Sequence, residues 1–113
     1  MSVRQAMLAL LGEQPMYGAQ LRAQFERRTG GTWPLNVGQV YQTLSRLERD
    51  GLVEAVGAPD EEGRIAYRLT DQGRAELAEQ RRQWAAVVDA LRGVWTTAQP
   101  IRPIAAPMWE AGR

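Results

Sequence analysis

One helix with both ends marked lies near the middle of the chain and restricts what the surrounding sequence can fold into. Asn36 can cap its N-terminus, Gln39 can reach back as a capping box, and Gly51 supplies the left-handed residue that ends it. Apolar residues recur at three- and four-residue steps and predict a buried face: Val37, Val40, Leu44 and Leu47. The other side carries polar side chains with hydrogen-bonding ends: Gln39, Gln42, Thr43, Arg46 and Arg49. The helix is therefore expected to pack on one side and to hold a polar surface toward solvent on the other.

The sequence on either side of this helix predicts a compact order of elements. Helices over 3–11 and 18–28 precede it, and the segment "QPMYG" between those two is predicted to be a turn. After it, short strands over 52–56 and 64–70 surround the polar turn "GAPDEEG" and predict a β-hairpin. Three helices followed by a hairpin are the layout of a winged helix-turn-helix. An all-α bundle, the alternative, would have to lose the hairpin.

Composition excludes several classes of function. The chain of 113 residues has no cysteine and no histidine, which excludes disulfides, thiolate and imidazole metal sites, cysteine nucleophiles and histidine general bases. We therefore expect neither an enzyme nor a bound cofactor or metal. The 14 basic residues are all arginine and give a net charge of +1, which neither requires nor excludes nucleic acid. Without a signal peptide or an apolar run of about 20 residues, the protein is expected to be cytoplasmic and not to contact a membrane.

The polar face of the central helix is the first candidate binding surface. On its own, such a face is most often only solvated. As the third helix of a trihelical unit, however, the helix would enter the DNA major groove with its N-terminal residues nearest the bases. Gln39 and Gln42 can form paired contacts with adenine, and Arg46 can reach guanine or phosphate.

The hairpin is a weaker candidate for contact with DNA. Its turn "PDEEG" is acidic and would be repelled by phosphate, so a contact with the minor groove or the backbone would depend on Arg64. A hairpin that only covers the core is the alternative.

The long helix that follows begins at Thr70 or Asp71 and carries a wide apolar stripe. Residues seven apart place large apolar side chains on one face, at Leu77, Trp84, Val87, Val88, Leu91, Val94 and Trp95. A second copy of the chain, related by a two-fold axis, could bury this stripe, and packing onto its own domain is the alternative. Two copies of Trp84 at such an axis could hold a flat aromatic molecule between them, unless Trp84 is an ordinary core residue.

These observations together define the predicted architecture. The fold class is mainly α (α+β), a winged helix-turn-helix with a two-stranded β wing and a long C-terminal dimerisation helix. The predicted parts are a DNA-binding domain over 1–69, a dimerisation helix over 70–96 and a Pro-rich tail over 97–113.

The chain resembles the PadR family of bacterial transcriptional regulators. The resemblance runs from about Met7 to Trp84, through the segments "LALLGEQPMYGAQL", "GQVYQTLSRLERDGLVEA" and "YRLTDQGRAEL". With one long C-terminal helix, the chain is similar to the short-form subgroup, which includes multidrug-responsive members. The resemblance implies a homodimeric repressor of operator DNA, in which the C-terminal helix packs against the partner's first helix.

The resemblance also implies roles for individual residues. Gln39, Tyr41 and Gln42 occupy the DNA-binding positions of the third helix, and Arg64 belongs to the wing. Trp84 falls at the position where multidrug-responsive members stack aromatic compounds. The residues that correspond to the lining of that ligand pore are Val3, Ala6, Met7, Gln80 and Val88.

One rival interpretation comes from a different class of function. The acidic turn and the near-neutral charge also fit a winged-helix protein-interaction module that does not bind DNA specifically. A metal-sensing winged helix is disfavoured because cysteine and histidine are absent.

Overall fold

The computed structural model describes residues 2–96, and the Pro-rich tail predicted over 97–113 lies outside them. The chain divides into two compact units, Met1–Gln83 and Trp84–Arg113. The elements, in chain order, are α1 (Val3–Leu11), β1 (Met16–Tyr17), α2 (Gly18–Arg28), α3 (Val37–Arg49), β2 (Val53–Val56), β3 (Ala66–Leu69) and α4 (Asp71–Trp95). The predicted fold class is confirmed: a mainly α winged helix-turn-helix followed by a long C-terminal helix.

The small sheet has one strand more than the sequence predicted. Its three strands are antiparallel in the order β1-β3-β2. Met16 pairs with Tyr67 and Tyr17 pairs with Ala66, so the segment "QPMYG" contains a strand as well as a turn. A two-residue strand offers no alternation that a sequence pattern could detect. It forms because Met16 is buried in the core and β3 has a free edge on that side.

The caps predicted for α3 are confirmed. Asn36 Oδ1 accepts the Gln39 N–H at 2.8 Å, and Gln39 Oε1 accepts the Asn36 N–H at 3.3 Å. Gly51 has a φ of 77°, the left-handed conformation expected just past the helix. The buried face is narrower than predicted, because Val37 lies at its edge in the first turn and is 50% exposed.

The helices α1 and α2 begin in a similar way to α3. Gln5 Oε1 accepts the Ser2 N–H at 3.1 Å at the start of α1. At the start of α2, Gln20 Oε1 accepts the Tyr17 N–H at 2.9 Å. In each case the glutamine is the third residue of the helix and satisfies an amide that has no partner within the helix.

The core of the first unit is apolar and draws on every helix. In α1 the buried residues are Ala6, Met7, Leu8, Leu10 and Leu11. The fully buried side chains include Met7, Leu8, Leu21, Leu35, Val40, Leu44, Leu47, Leu52 and Val53.

The residue before α4, Thr70, is hydrogen-bonded to the two residues that follow the C-cap of α3, Gly51 and Leu52. The Thr70 hydroxyl caps α4 by accepting the Gly73 N–H at 3.1 Å and donates to the Gly51 carbonyl at 2.6 Å. The Thr70 N–H donates to the Leu52 carbonyl at 3.0 Å. A Cβ atom at Gly73 would lie only 2.0 Å from the Leu52 carbonyl oxygen, so the two segments pack backbone to backbone.

Candidate DNA-binding surface

The part of α3 opposite the core is polar and exposed. Successive residues of a helix turn by about 100°, which places four residues directly opposite the buried stripe. This outward face consists of Gly38, Gln42, Ser45 and Arg49. Ser45 was missed by sequence reasoning, although its position three residues after Gln42 and seven after Gly38 would have placed it on this face.

The two glutamines of α3 differ in their freedom to bind a base. Gln39 lies beside the outward face, and its amide oxygen is engaged in the cap while the amide NH₂ group remains a donor. The side-chain amide of Gln42 forms no hydrogen bond with any residue in the range 2–96. The Gln42 amide can therefore offer both its donor and its acceptor.

The predicted residues Thr43 and Arg46 lie nearer to α1. The Thr43 hydroxyl donates to the Gln39 carbonyl at 2.8 Å, and Thr43 is only partly exposed. Thr43 and Arg46 line a small cleft together with Ser2 and Arg4. Arg46 is exposed and forms no ion pair with any other residue that the structure describes.

Arg4 connects α1 with both α3 and α4. Its guanidinium donates to Asp50 Oδ2 and to Glu76 Oε1, each at 3.0 Å. The hydrogen bond from Arg4 is the largest cause that holds the pKa of Asp50 below its ordinary value. Because Asp50 caps the C-terminus of α3, this triad fixes the end of that helix relative to α4.

The wing arginine is held by its own turn. Arg64 Nε lies 2.8 Å from Asp60 Oδ2, Arg64 Nη2 lies 3.4 Å from Glu62 Oε2, and the guanidinium carbon lies 4.9 Å from the centre of the Tyr17 ring. The pKa of Asp60 is lowered, first by the hydrogen bond from the Arg64 backbone N–H and then by the Arg64 side chain. The charge of Arg64 is therefore largely matched within the wing.

Tyr41 and Arg64 are brought together, as the predicted site requires. Both line a cleft of about 250 Å³ that also includes Tyr17 and the first residues of α2. A Cβ atom at Gly18 would lie 3.0 Å from the Tyr41 ring, so the absence of a side chain there lets the tyrosine lie against α2. The structure thus places α3, the N-terminus of α2 and the wing around one cleft.

The residues predicted for the dimer interface fall into two groups. Leu77 is only 4% exposed and belongs to the core of the first unit, because Gly12 leaves room for its side chain against α1. The other six are between 41 and 74% exposed and form what we call the α4 stripe: Trp84, Val87, Val88, Leu91, Val94 and Trp95.

The residues predicted to line a ligand pore are likewise divided. Met7 is 1% exposed and lies within the chain's own core. Val3 is partly exposed, and Gln80 Nε2 donates to the Gln5 carbonyl at 3.0 Å. Ala6 lines an apolar groove of about 260 Å³ between α1 and α2. Trp84 and Val88 belong to the α4 stripe.

The rim of that groove is charged. Arg28 Nη1 donates to Glu13 Oε1 and Arg28 Nη2 donates to Glu13 Oε2, each at 2.7 Å. The hydrogen bond from Arg28 lowers the pKa of Glu13. Phe25 and Leu10 contribute to the apolar floor, so the groove could accommodate an apolar side chain.

Over residues 2–96, no helix is long and apolar enough to cross a membrane.

A trihelical unit with an exposed polar third helix and a β wing defines a winged-helix protein. The chain belongs to the PadR-like family of transcriptional regulators, whose sequence profile matches residues 7–79. In the structure, the segment "VYQTLSRLERDGL" covers most of α3 and the three residues after it, and "YRLTDQG" spans the junction between β3 and α4.

Two curated relatives come from Mycobacterium tuberculosis. The probable transcriptional regulator Rv1176c is 32% identical over 117 residues, which cover 99% of this chain and 60% of that protein. The chain thus spans about three fifths of the length of this relative. The transcriptional regulator Rv3488 is 37% identical over 82 residues, which cover 72% of this chain and 74% of that protein.

Solved structures have the same fold at lower sequence identity. A PadR-like transcriptional regulator from Bacillus cereus has a TM-score of 0.69 at 21% identity, covering 83% of this chain and 91% of its own. A transcriptional regulator from Clostridium thermocellum has a TM-score of 0.69 at 21% identity, covering 84% of this chain and 90% of its own.

Proposed function

We propose that the protein is a homodimeric repressor that reads operator DNA with α3 and is released by a planar aromatic ligand. In this proposal residues 1–69 form the DNA-binding domain and 70–96 the dimerisation helix. The observation that carries it is the outward face of α3, which is polar and exposed on a helix capped at its start and fastened at its end.

The chemistry of the outward face suits the edges of base pairs. A glutamine amide can pair with adenine N6 and N7, and an arginine can pair with guanine or contact phosphate. Gly38 has no side chain near the start of α3, so the backbone can approach the duplex closely there. Tyr41 and Arg46 flank this face, Thr43 lies further toward α1, and Arg64 lines the same cleft as Tyr41.

Replacing Gln42 should weaken specific binding and leave nonspecific binding nearly unchanged. We expect Gln42→Ala to cost about 1–3 kcal/mol on the operator and little on a random duplex, since only base contacts are lost. Arg46→Ala should weaken both if Arg46 contacts phosphate. Fluorescence anisotropy with labelled duplexes measures these affinities.

The matched control for this experiment is Gln83→Ala, which removes an exposed glutamine from α4. It should bind the operator as the parent does. Operator affinities that are equal for the parent and for the Gln42 and Arg46 variants would contradict the docking of α3.

A homodimer is supported by two apolar surfaces of one chain. The α4 stripe exposes large side chains, and the groove between α1 and α2 has an apolar floor. Soluble monomers rarely expose a continuous apolar surface of this kind. In a two-fold dimer, each copy would offer its stripe to the partner and receive the partner's stripe in return. Two DNA-reading helices then become available for two half-sites.

The ligand site in this proposal lies where two copies of Trp84 meet. Trp84 lies in the α4 stripe, one turn before Val88, and is 45% exposed within one chain. Two indoles facing each other with valine walls would form an apolar slot for planar aromatic molecules. Binding there can release DNA only if the ligand prefers the dimer arrangement that DNA disfavours.

A planar dye should quench tryptophan fluorescence through this slot. Trp84→Ala should abolish most of the quenching and leave the dimer folded. Trp33→Ala is the control, because Trp33 packs edge to face on Phe25 at 5.7 Å in the first unit and should not affect dye binding. Operator DNA should weaken dye binding by the same factor by which the dye weakens operator binding. Equal dye affinity of Trp84→Ala and the parent would exclude the slot.

The alternative function, a protein-interaction module without specific DNA binding, is favoured by the internally matched charge of Arg64. The salt dependence of duplex affinity distinguishes the two functions. A DNA reader releases counterions from each phosphate that it contacts and loses affinity steeply with added salt.

A further inference from the structure

The wing turn contains more negative than positive charge. Between Gly57 and Arg64 the chain has Asp60, Glu61 and Glu62 against the single guanidinium of Arg64. We propose that Asp60 is a positioning residue that withholds Arg64 from the DNA backbone and so limits operator affinity. This proposal rests on the proposed DNA-binding function.

The two carboxylate oxygens of Asp60 have separate roles. Oδ1 accepts the backbone N–H groups of Glu62 and Arg64 at 2.9 and 2.8 Å, which shapes the turn. Oδ2 accepts Arg64 Nε at 2.8 Å and fixes the guanidinium. An asparagine at this position keeps an oxygen for the turn and replaces the acceptor of Arg64 with an NH₂ group. The structure therefore offers a substitution that separates the two roles.

The remaining contacts of Arg64 complete the restraint. Glu62 Oε2 lies 3.4 Å from Arg64 Nη2. The Tyr17 ring lies against the guanidinium, with 4.9 Å between the ring centre and Arg64 Cζ. The guanidinium is thus held between an aromatic face and two carboxylates. A phosphate that approaches Arg64 must either displace Asp60 or lie beside an anion, and both are unfavourable.

Competition between an internal carboxylate and DNA phosphate would then set the contribution of the wing. In the free protein the restraint matches the charge of Arg64, so the wing adds little attraction for a polyanion. Released from Asp60, Arg64 lies close enough to Tyr41 and the start of α2 to reach the same stretch of backbone, since all three line one cleft.

The experiment compares Asp60→Asn with Glu61→Gln in the full chain. Both remove one negative charge from the same turn, but within the described residues 2–96 Glu61 forms no hydrogen bond or ion pair with Arg64. We expect Asp60→Asn to bind a duplex about three- to tenfold more tightly than the parent, with a salt dependence steeper by about one phosphate contact. Glu61→Gln should show a smaller gain and an unchanged salt dependence.

A second comparison tests whether the effect passes through Arg64. In an Arg64→Gln background, Asp60→Asn should give no larger gain than Glu61→Gln. Thermal melting checks that each variant is folded. If Asp60→Asn does not fold, Glu62→Gln takes its place, because Glu62 is the other carboxylate on Arg64 and its loss should give a gain in the same direction.

The outcomes separate this proposal from the function on which it rests. Equal gains from Asp60→Asn and Glu61→Gln would overturn it in favour of net charge alone. Weaker binding by Asp60→Asn would also overturn it, since Asp60 would then present Arg64 to the phosphate. Absence of specific duplex binding by the parent, with Gln42→Ala unchanged, would overturn the proposed function itself.

Discussion

Gly73→Ala is expected to lower the melting temperature by about 10–20 °C, corresponding to roughly 3 kcal/mol of stability for a domain of this size. The added methyl group would lie 2.0 Å from the Leu52 carbonyl oxygen and 3.0 Å from the Leu52 carbonyl carbon. Neither side can give way cheaply, because the same carbonyl accepts the Thr70 N–H at 3.0 Å. Differential scanning calorimetry or thermal circular dichroism measures the change.

Gly93→Ala is the matched control in the same helix. No heavy atom lies within 4 Å of a Cβ at Gly93, so the substitution only improves helix propensity. It should stabilise the protein by up to about 1 kcal/mol. A Gly73→Ala protein that melts with the parent would show that α4 does not approach Leu52 as closely as the structure has it.

Leu91→Glu is expected to convert the proposed dimer into monomers. Leu91 lies in the middle of the α4 stripe, and a two-fold interface would bury two unpaired carboxylates, one from each copy. Burying an uncompensated charge costs about 3 kcal/mol or more, which raises the dissociation constant at least about a hundredfold. Sedimentation or light scattering measures the oligomeric state, at protein concentrations on the order of tens of micromolar, where a loose dimer would still be detected.

Ala86→Glu controls for charge and helix propensity in this experiment. Ala86 lies two residues after Trp84, about 200° away on the helix, and therefore faces away from the stripe. The Ala86→Glu variant should remain dimeric. If the parent is monomeric, the proposed dimer fails, and the Trp84 slot fails with it. If Leu91→Glu remains dimeric, the copies associate through another surface.

The helices were predictable because their signals are local. Caps and stops lie within a few residues of the ends that they define, and the bounds of α1 and α2 agree with the prediction. The strand β1 was missed because its partner, Tyr67, is far along the chain and its two residues carry no pattern of their own. Pairing between distant segments is set by packing rather than by local preference.

The candidate site was likewise predictable where it depends on local helix geometry, and not where it depends on distant segments. The outward face of α3 follows from helix geometry alone, so Gln42 could be placed without a structure. The restraint on Arg64 was predictable only in part: Asp60 and Glu62 lie in the same turn, whereas Tyr17 approaches from a distant segment. Similarly, a seven-residue repeat does not indicate that Leu77 is covered by its own domain while Leu91 is exposed.

The choice of glutamine to cap α1, α2 and α3 has an electrostatic consequence. The aligned peptide dipoles of a helix leave about half a positive charge at its N-terminus, which a glutamate in the capping box would partly cancel. Gln5, Gln20 and Gln39 satisfy the same amides without a charge, and the first turns of these three helices contain no acidic residue. The positive potential at the start of α3 therefore remains directed outward. In a protein with a net charge of only +1, such fixed dipoles supply attraction for a polyanion that the arginine count does not reveal.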